Sequence, residues 1–471
     1  MNLKTKRISS IILCAVMAAT LFSGCRGSSG DGSDYTIIES VIEVSDDSGT
    51  TGNNSGTNSG DKSSGKNSTG GNSGSGQQND DESVDPKKYK GTTVTYATWQ
   101  YADGIDTDAA ISAFKKKYGI TVKTITVPQK TYVQEITALI NSGNAPDVIR
   151  DWEYWPSFTT IAQPLENAKI DLSDSIWDQN ALKLREVNGK HYSLTSVGGM
   201  FNGPINIVFY NKKLLNSNGI KTPEDYKNIG KWNFDALYQI AKSSAAIGNG
   251  YRGVYADNFG GKISSSFGTD IFKYSNGKFS SGVSDPMLAT VWQNITKWNK
   301  EGLMADDRSA FINGKCGLAI TDAYGLKKSG YWRDMSAKDI GYIELPELNG
   351  QKPQTASNST FFGICKGAKN PIAGGIFLRY YLDVNNYDIS KQFITSEAAN
   401  YIVKASSTLN ANTFYNINTG IANACGIDNK KYYYQLYQSD PAQVSQVLSA
   451  MSNEVNGYVK NTQKVLDQNT K

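Results

Sequence analysis

Between residues 91 and 151 the chain alternates between the hydrophobic period of a strand and that of a helix, and this leaves few architectures open to it. "GTTVTYATW" is rich in β-branched and aromatic residues and reads as a strand. "DTDAAISAFKKKYG" follows, with Ala110, Ala113, Phe114 and Tyr118 on one helical face and Gly119 as a stop. "ITVKTITV" is a second strand. "TYVQEITALINSGNAP" spaces Tyr132, Val133, Ile136, Leu139 and Ile140 as a helix closed by Gly143, and "PDVIRDW" is a third strand. Strands joined by single helices at this spacing require right-handed crossovers, and so a parallel sheet covered by helices on both faces.

The pattern continues. "INIVFYNKKLLNSNG" is a strand running into a short helix, and "GKWNFDALYQIAKSSAAIG" is a helix capped by Asn233. "GKCGLAITDAYG" is an apolar strand ending in polar and aromatic residues. "NPIAGGIFLRYYLD" begins a helix with Asn370 as cap and Pro371 at its first position. The last segment spaces Val444, Val447, Leu448, Met451, Val455 and Tyr458 as an amphipathic helix. Roughly 380 residues from about residue 90 onward exceed one ordinary core, so two lobes are expected.

The N-terminus is of another kind. A basic MNLKTKR precedes an apolar run of about fifteen residues and a small-residue site, the layout of a signal peptide over residues 1–24. Leu21-Phe22-Ser23-Gly24-Cys25 resembles the bacterial lipobox, with Phe22 where an aliphatic residue is usual, and implies that Cys25 is lipidated. Residues 25–90 are dominated by Ser, Gly, Asn, Thr and Asp and read as a flexible tether with a reach of roughly 40–50 Å. Loss of Lys4, Lys6 and Arg7 with the signal lowers the formal charge from +4 to +1, which gives no electrostatic case for nucleic acid. Membrane association is expected through the lipid anchor only.

Cys316, Cys365 and Cys425 are widely spaced and odd in number, the pattern of buried reduced thiols rather than of a zinc site or disulfide framework. The single histidine, His191, lies in a turn running into a strand, and its solitude speaks against Ser-His-Asp or Cys-His catalysis. No cofactor or metal is expected.

Six segments in order carry a resemblance: the first strand ending in Trp99, "LINSGNAPDVIRDW", "NGKHYSLTSVGG", "FYNKKLLNSNGIKTPEDY", "FINGKCGLAITDAY" and "KGAKNPIAGGIFLRYYL". Over residues 91–471 the chain resembles the family 1 extracellular solute-binding proteins of bacterial ABC importers, the group of maltose-binding protein. The resemblance implies an α/β, two-lobe periplasmic-binding-protein fold of type II, with ligand held in a cleft closed by a hinge. Lobe one would comprise 91–200 plus 352–396, and lobe two 201–351 plus 397–471. It also implies a monomer without enzymatic activity that delivers its ligand to permease subunits.

In open α/β sheets ligands sit beyond the carboxyl ends of the strands. The segments just after strands here pair aromatic faces with carboxylates or amides: Trp99, Tyr101 and Asp103; Asp151, Trp152, Glu153 and Trp155; Asp257 and Asn258; Asp322 and Tyr324. Asn202, ahead of the INIVFY strand, is taken with them. Such pairs suit a sugar, whose apolar ring face stacks on Trp or Tyr while its hydroxyls meet carboxylates and amides. With 27 Tyr and 8 Trp, many rings are expected beyond the needs of the core. The ligand class expected is an oligosaccharide. A purely structural or adhesive surface protein is a further reading, against which the lack of internal repeats speaks, and two more alternatives stand beside it. One is a secreted glycoside hydrolase using Asp151 or Glu153 with Asp322. The other is a binder of peptides, which would need a fixed Arg and Asp pair for the termini, and no arginine other than Arg150 lies near these segments in sequence.

Overall fold

The computed structural model describes residues 84–99, 107–197, 206–256, 259–356, 360–387, 389–406, 409–410, 414–427 and 430–471. The signal-like segment and Cys25 lie outside the described residues, as do Tyr101, Asp103, Asn202, Asp257 and Asn258. Within the stretch read as tether, Pro86–Tyr89 forms a turn of 3-10 helix in which Asp85 accepts a hydrogen bond from the Lys87 amide.

Strands β1 (Thr93–Thr98), β2 (Thr121–Thr126), β3 (Val148–Asp151) and β4 (Ala162–Gln163) begin the first sheet. The chain then builds a second sheet from β5 (Ile207–Asn211), β6 (Arg252–Ala256), β7 (Cys316–Thr321) and β8 (Ile340–Glu344), and returns with β9 (Phe361–Cys365). The first sheet has the order β2-β1-β3-β9-β4, and the second β8-β5-β7-β6. β1, β2 and β3 are parallel, as the crossovers require. β9 is the departure: it runs antiparallel to β3, with Phe361 opposite Asp151 and Ile364 opposite Val148. An antiparallel strand arriving from the other sheet leaves no local period to announce it.

Alternation along the strands explains the layers. Val94 and Tyr96 of β1 face one core with Phe114, Phe377 and Tyr381, while Ala97 faces another with Tyr132 and Ile136. Helices Thr107–Tyr118 and Pro371–Tyr381 thus cover one face, and Tyr132–Asn141 the other. Ala113, expected on the buried side, is exposed, and Ile111 packs there instead. In β5, Ile207 and Phe209 join Trp332, Ala398 and Ile402, whereas Val208 and Tyr210 join Leu237 and Ile240 of helix Phe234–Ala245.

Three sequence motifs gain physical reasons. Asp147, after Pro146, accepts from the Thr95 amide at 2.8 Å and from the Asn370 amide at 2.7 Å, so one carboxylate pins three segments. Asn211 ends β5 and caps the next helix by accepting from the Leu214 amide at 2.9 Å. Asn188 and Gly189 take positive φ of 53° and 73°, the backbone a two-residue hairpin needs. Asn233 caps its helix through the Ala236 amide, as expected. Asn370 does not: its side-chain amide donates to the Thr93 carbonyl instead. His191 has a structural partner, Glu166, at 2.9 Å. Cys316, Cys365 and Cys425 are free thiols. No helix among the described residues is long and apolar enough to cross a membrane.

Candidate ligand site between the sheets

The carboxyl ends of β1 and β3 bring Trp99 and the run from Asp151 to Trp155 together. Trp99 meets Tyr132 and Tyr154 edge-on at 5.4 and 6.1 Å between centroids. The Arg150 guanidinium lies 4.4 Å from the Trp99 ring centroid and donates to Thr360 at 3.4 Å. Asp151 points the opposite way, as strand alternation dictates. Its carboxylate accepts from the Tyr154 amide at 3.0 Å and pairs with Arg185 at 3.3 Å.

The facing wall comes from the second sheet. β7 ends at Thr321, so Asp322 stands at the sheet edge, and the helix Phe259–Ser266 after β6 presents Lys262 to it. Lys262 Nζ lies 3.3 Å from Asp322 Oδ2, with both side chains buried. The Tyr331 hydroxyl donates to the same oxygen at 3.4 Å and meets Tyr324 edge-on at 5.0 Å. Asn206, ahead of β5, donates to the Lys262 carbonyl and Ser266 hydroxyl at 2.6 Å each, fixing the helix that carries the lysine.

The walls sense each other electrostatically. Burial pushes the Glu153 carboxyl up to about 7, with Asp151 reinforcing the rise and Lys262, on the other wall, opposing it. Burial brings Lys327 down to about 8, helped by the Arg150 charge and opposed by Asp322. Charged groups from the ends of β3 and β7 therefore share one partly dry space. Trp155 also crosses, meeting Tyr274 edge-on at 5.9 Å. Among the described residues no cluster of three or more His, Cys, Asp or Glu could hold a metal ion. The arrangement can stack apolar faces and accept or donate hydrogen bonds between two walls.

The sequence model of bacterial extracellular solute-binding proteins matches residues 101–387, more than half of the chain. The chain belongs to the bacterial extracellular solute-binding protein family. Solved structures similar to this solute-binding protein include the cyclic alpha-maltosyl-1,6-maltose binding protein from Arthrobacter globiformis, at 15% identity and TM-score 0.59, covering 79% of this chain and 99% of that one. The extracellular solute-binding protein from Staphylococcus aureus in complex with maltose matches at 15% identity and TM-score 0.55, covering 80% and 99%. The galacto-N-biose-/lacto-N-biose I-binding protein of an ABC transporter from Bifidobacterium longum, in complex with lacto-N-biose, matches at 14% and 0.56, covering 79% and 98%. No curated protein matches the sequence. At these identities the likeness is one of fold, and the fold is the two-lobe one that the motif order implied.

Within this solute-binding protein the expected site residues divide. Trp152 and Glu153 are half-buried at the first wall, and Tyr324, 39% exposed, lies at the second. Asp322 is at the second wall but engaged by Lys262. Asp151 and Trp155 are 0% and 1% exposed, turned into the packing around Arg185. The surplus of rings is not there for tryptophan: Trp99, Trp155, Trp177, Trp232, Trp292, Trp298 and Trp332 are all buried, and Trp152 alone is half-buried. Sequence reasoning missed Lys262, Lys327, Tyr331, Asn206 and Arg185. Arg185 also corrects the view that Arg150 is the one arginine near these segments, although its charge is answered by Asp151. Extending the strand-end rule by one helical turn would have reached Lys262.

Proposed function

We propose that this solute-binding protein is the sugar-capturing lipoprotein of an ABC importer. An oligosaccharide would lie between the walls, stacked on Trp152 and reached from the other side by Tyr324 and Tyr331, with Glu153 and Asp322 meeting its hydroxyls. The lobes would close on it about crossings near residues 200, 351 and 396, and the complex would dock as a monomer on permease subunits. Residues 1–24 would be removed, and Cys25, diacylated, would hold the tether at the extracytoplasmic face of the membrane. The observation that carries this reading is that Glu153, next to Trp152 at the end of β3, feels the charge of Lys262, which is paired with Asp322 at the end of β7. The neighbours named above, two of them with sugar bound, support it.

One observation favours the hydrolase reading: a carboxyl held near 7 is what a general acid needs. Against it, Asp322, the carboxylate that would act with Glu153 or Asp151, is paired with Lys262, and Asp151 is paired with Arg185. Calorimetric titration with maltose, lacto-N-biose and longer oligosaccharides, with chromatography of the recovered sugar, tests the choice. Saturable binding with intact sugar supports capture, turnover supports hydrolysis, and binding to no sugar overturns both.

A further inference from the structure

The helix Phe414–Cys425 touches both sides of the site. Toward the first sheet, a Cβ placed on Gly420 would stand 2.0 Å from the Trp155 carbonyl oxygen and 3.2 Å from its amide nitrogen. These are backbone atoms that cannot rotate away, so only glycine lets the helix lie this close to the segment. One turn on, the Asn423 side-chain amide donates to the Glu153 carbonyl at 3.2 Å. The helix is also tied to a separate two-stranded sheet, Phe272–Ser275 with Lys278–Ser281: Asn418 accepts from the Phe272 amide at 3.0 Å and donates to the Phe272 carbonyl at 2.9 Å, completing a strand-like pair with a buried side chain. The same helix packs against Phe259–Ser266, which carries Lys262.

We infer that Gly420 and Asn423 are positioning residues for the ligand site: the glycine notch seats the 152–155 segment against a helix anchored on the opposite side, and so sets the spacing between Glu153 and the Lys262–Asp322 wall. This rests on the reading of Trp152 and Glu153 as ligand-facing. It goes beyond that reading by placing the control of cleft width in a helix packed against the 152–155 segment. Trp155 belongs to the same device, since its backbone fills the notch and its ring is held by Tyr274 and Arg185.

The test uses the full chain without sugar, so its result does not depend on whether sugar is the ligand. Amide exchange is compared for the native chain, Gly420→Ala, Asn423→Ala and Gly457→Ala, the last being a helical glycine with open space around it. Gly420→Ala is expected to speed exchange of the 152–158 amides by about tenfold or more, leaving β1 and β7 at native rates and Gly457→Ala unchanged. The Glu153 carboxyl, followed by carbon NMR, is expected to titrate lower in Gly420→Ala as the segment lifts and water enters, a shift that uniform loss of stability would not produce. Unchanged exchange at 152–158, or faster exchange spread evenly over both sheets, overturns the assignment. Should Gly420→Ala fail to fold, Asn423→Ala decides alone: acceleration confined to 152–158 supports the assignment, and native rates there overturn it.

Discussion

Arg185 and Asp151 form a buried ion pair, 3.3 Å apart, with the guanidinium lying 4.5 Å from the Trp155 ring centroid and 4.1 Å from that of Phe361. The pair ties the end of β3 to the chain that follows helix Gln179–Leu184. Removing one partner strands the other charge in a dry site, so Asp151→Ala or Arg185→Met should each destabilise the protein by about 3–5 kcal/mol in urea denaturation. The double variant Asp151→Ala with Arg185→Met should lose markedly less than the sum. Additive losses would contradict a direct pairing.

Glu153 predicts a pH dependence with a definite sign. Its folded pKa is raised to about 7 from an ordinary 4.5, so between these values the folded chain holds a proton that the unfolded chain releases. Stability should therefore fall as pH rises through that window, by up to about 2–3 kcal/mol from this group. Glu153→Gln should flatten the profile between pH 4.5 and 7. A profile as steep in the variant as in the native chain would place the effect elsewhere.

Trp152 is the half-buried ring at the first wall. Trp152→Ala should weaken oligosaccharide binding by about 1–3 kcal/mol, and Trp152→Phe by less, because a smaller stacking face remains. Isothermal titration checks the order. Trp99→Ala should behave differently, costing about 3–5 kcal/mol of stability, because this ring is 7% exposed and packed on Tyr132, Tyr154 and Arg150.

If Cys25 carries the proposed anchor, Cys25→Ala should release the protein into the medium or leave it unprocessed, with sugar affinity unchanged, since two acyl chains would supply stable anchoring and the proposed cleft lies far along the chain. Fractionation of cells reads the outcome. Retention of the variant at the membrane would remove the case for a lipid anchor.

Much of the scaffold was legible because its signals are local. The spacing from Val94 to Asp151 is enough to require parallel strands, and Asn233 announces its helix three residues ahead of the amide it caps. The first wall was partly legible for the same reason: Trp152 and Glu153 follow β3 directly. What escaped are relationships across distance. Arg185 meets Asp151 from 34 residues away and Lys262 meets Asp322 from 60 away, and nothing in either neighbourhood marks a cation as a carboxylate's partner. Asp151 reads as a site residue by position, yet strand alternation turns it from the side Arg150 faces. Asn370 looks like a cap by spacing, but the exposed Thr93 carbonyl takes its side chain first.

The return of the chain to the first sheet also sets a timetable. β3 has β1 on one side and β9 on the other, and among the described residues β4 pairs only with β9. As the chain is made, the first sheet therefore waits with an open edge along Val148–Asp151 until residues 361–365 arrive, more than two hundred positions later. The second sheet can be assembled in that interval from Ile207 to Glu344 alone. A fold with so distant a closing pair gathers slowly, and its exposed β3 edge is the place where a chaperone or a neighbouring chain would find the unfinished molecule.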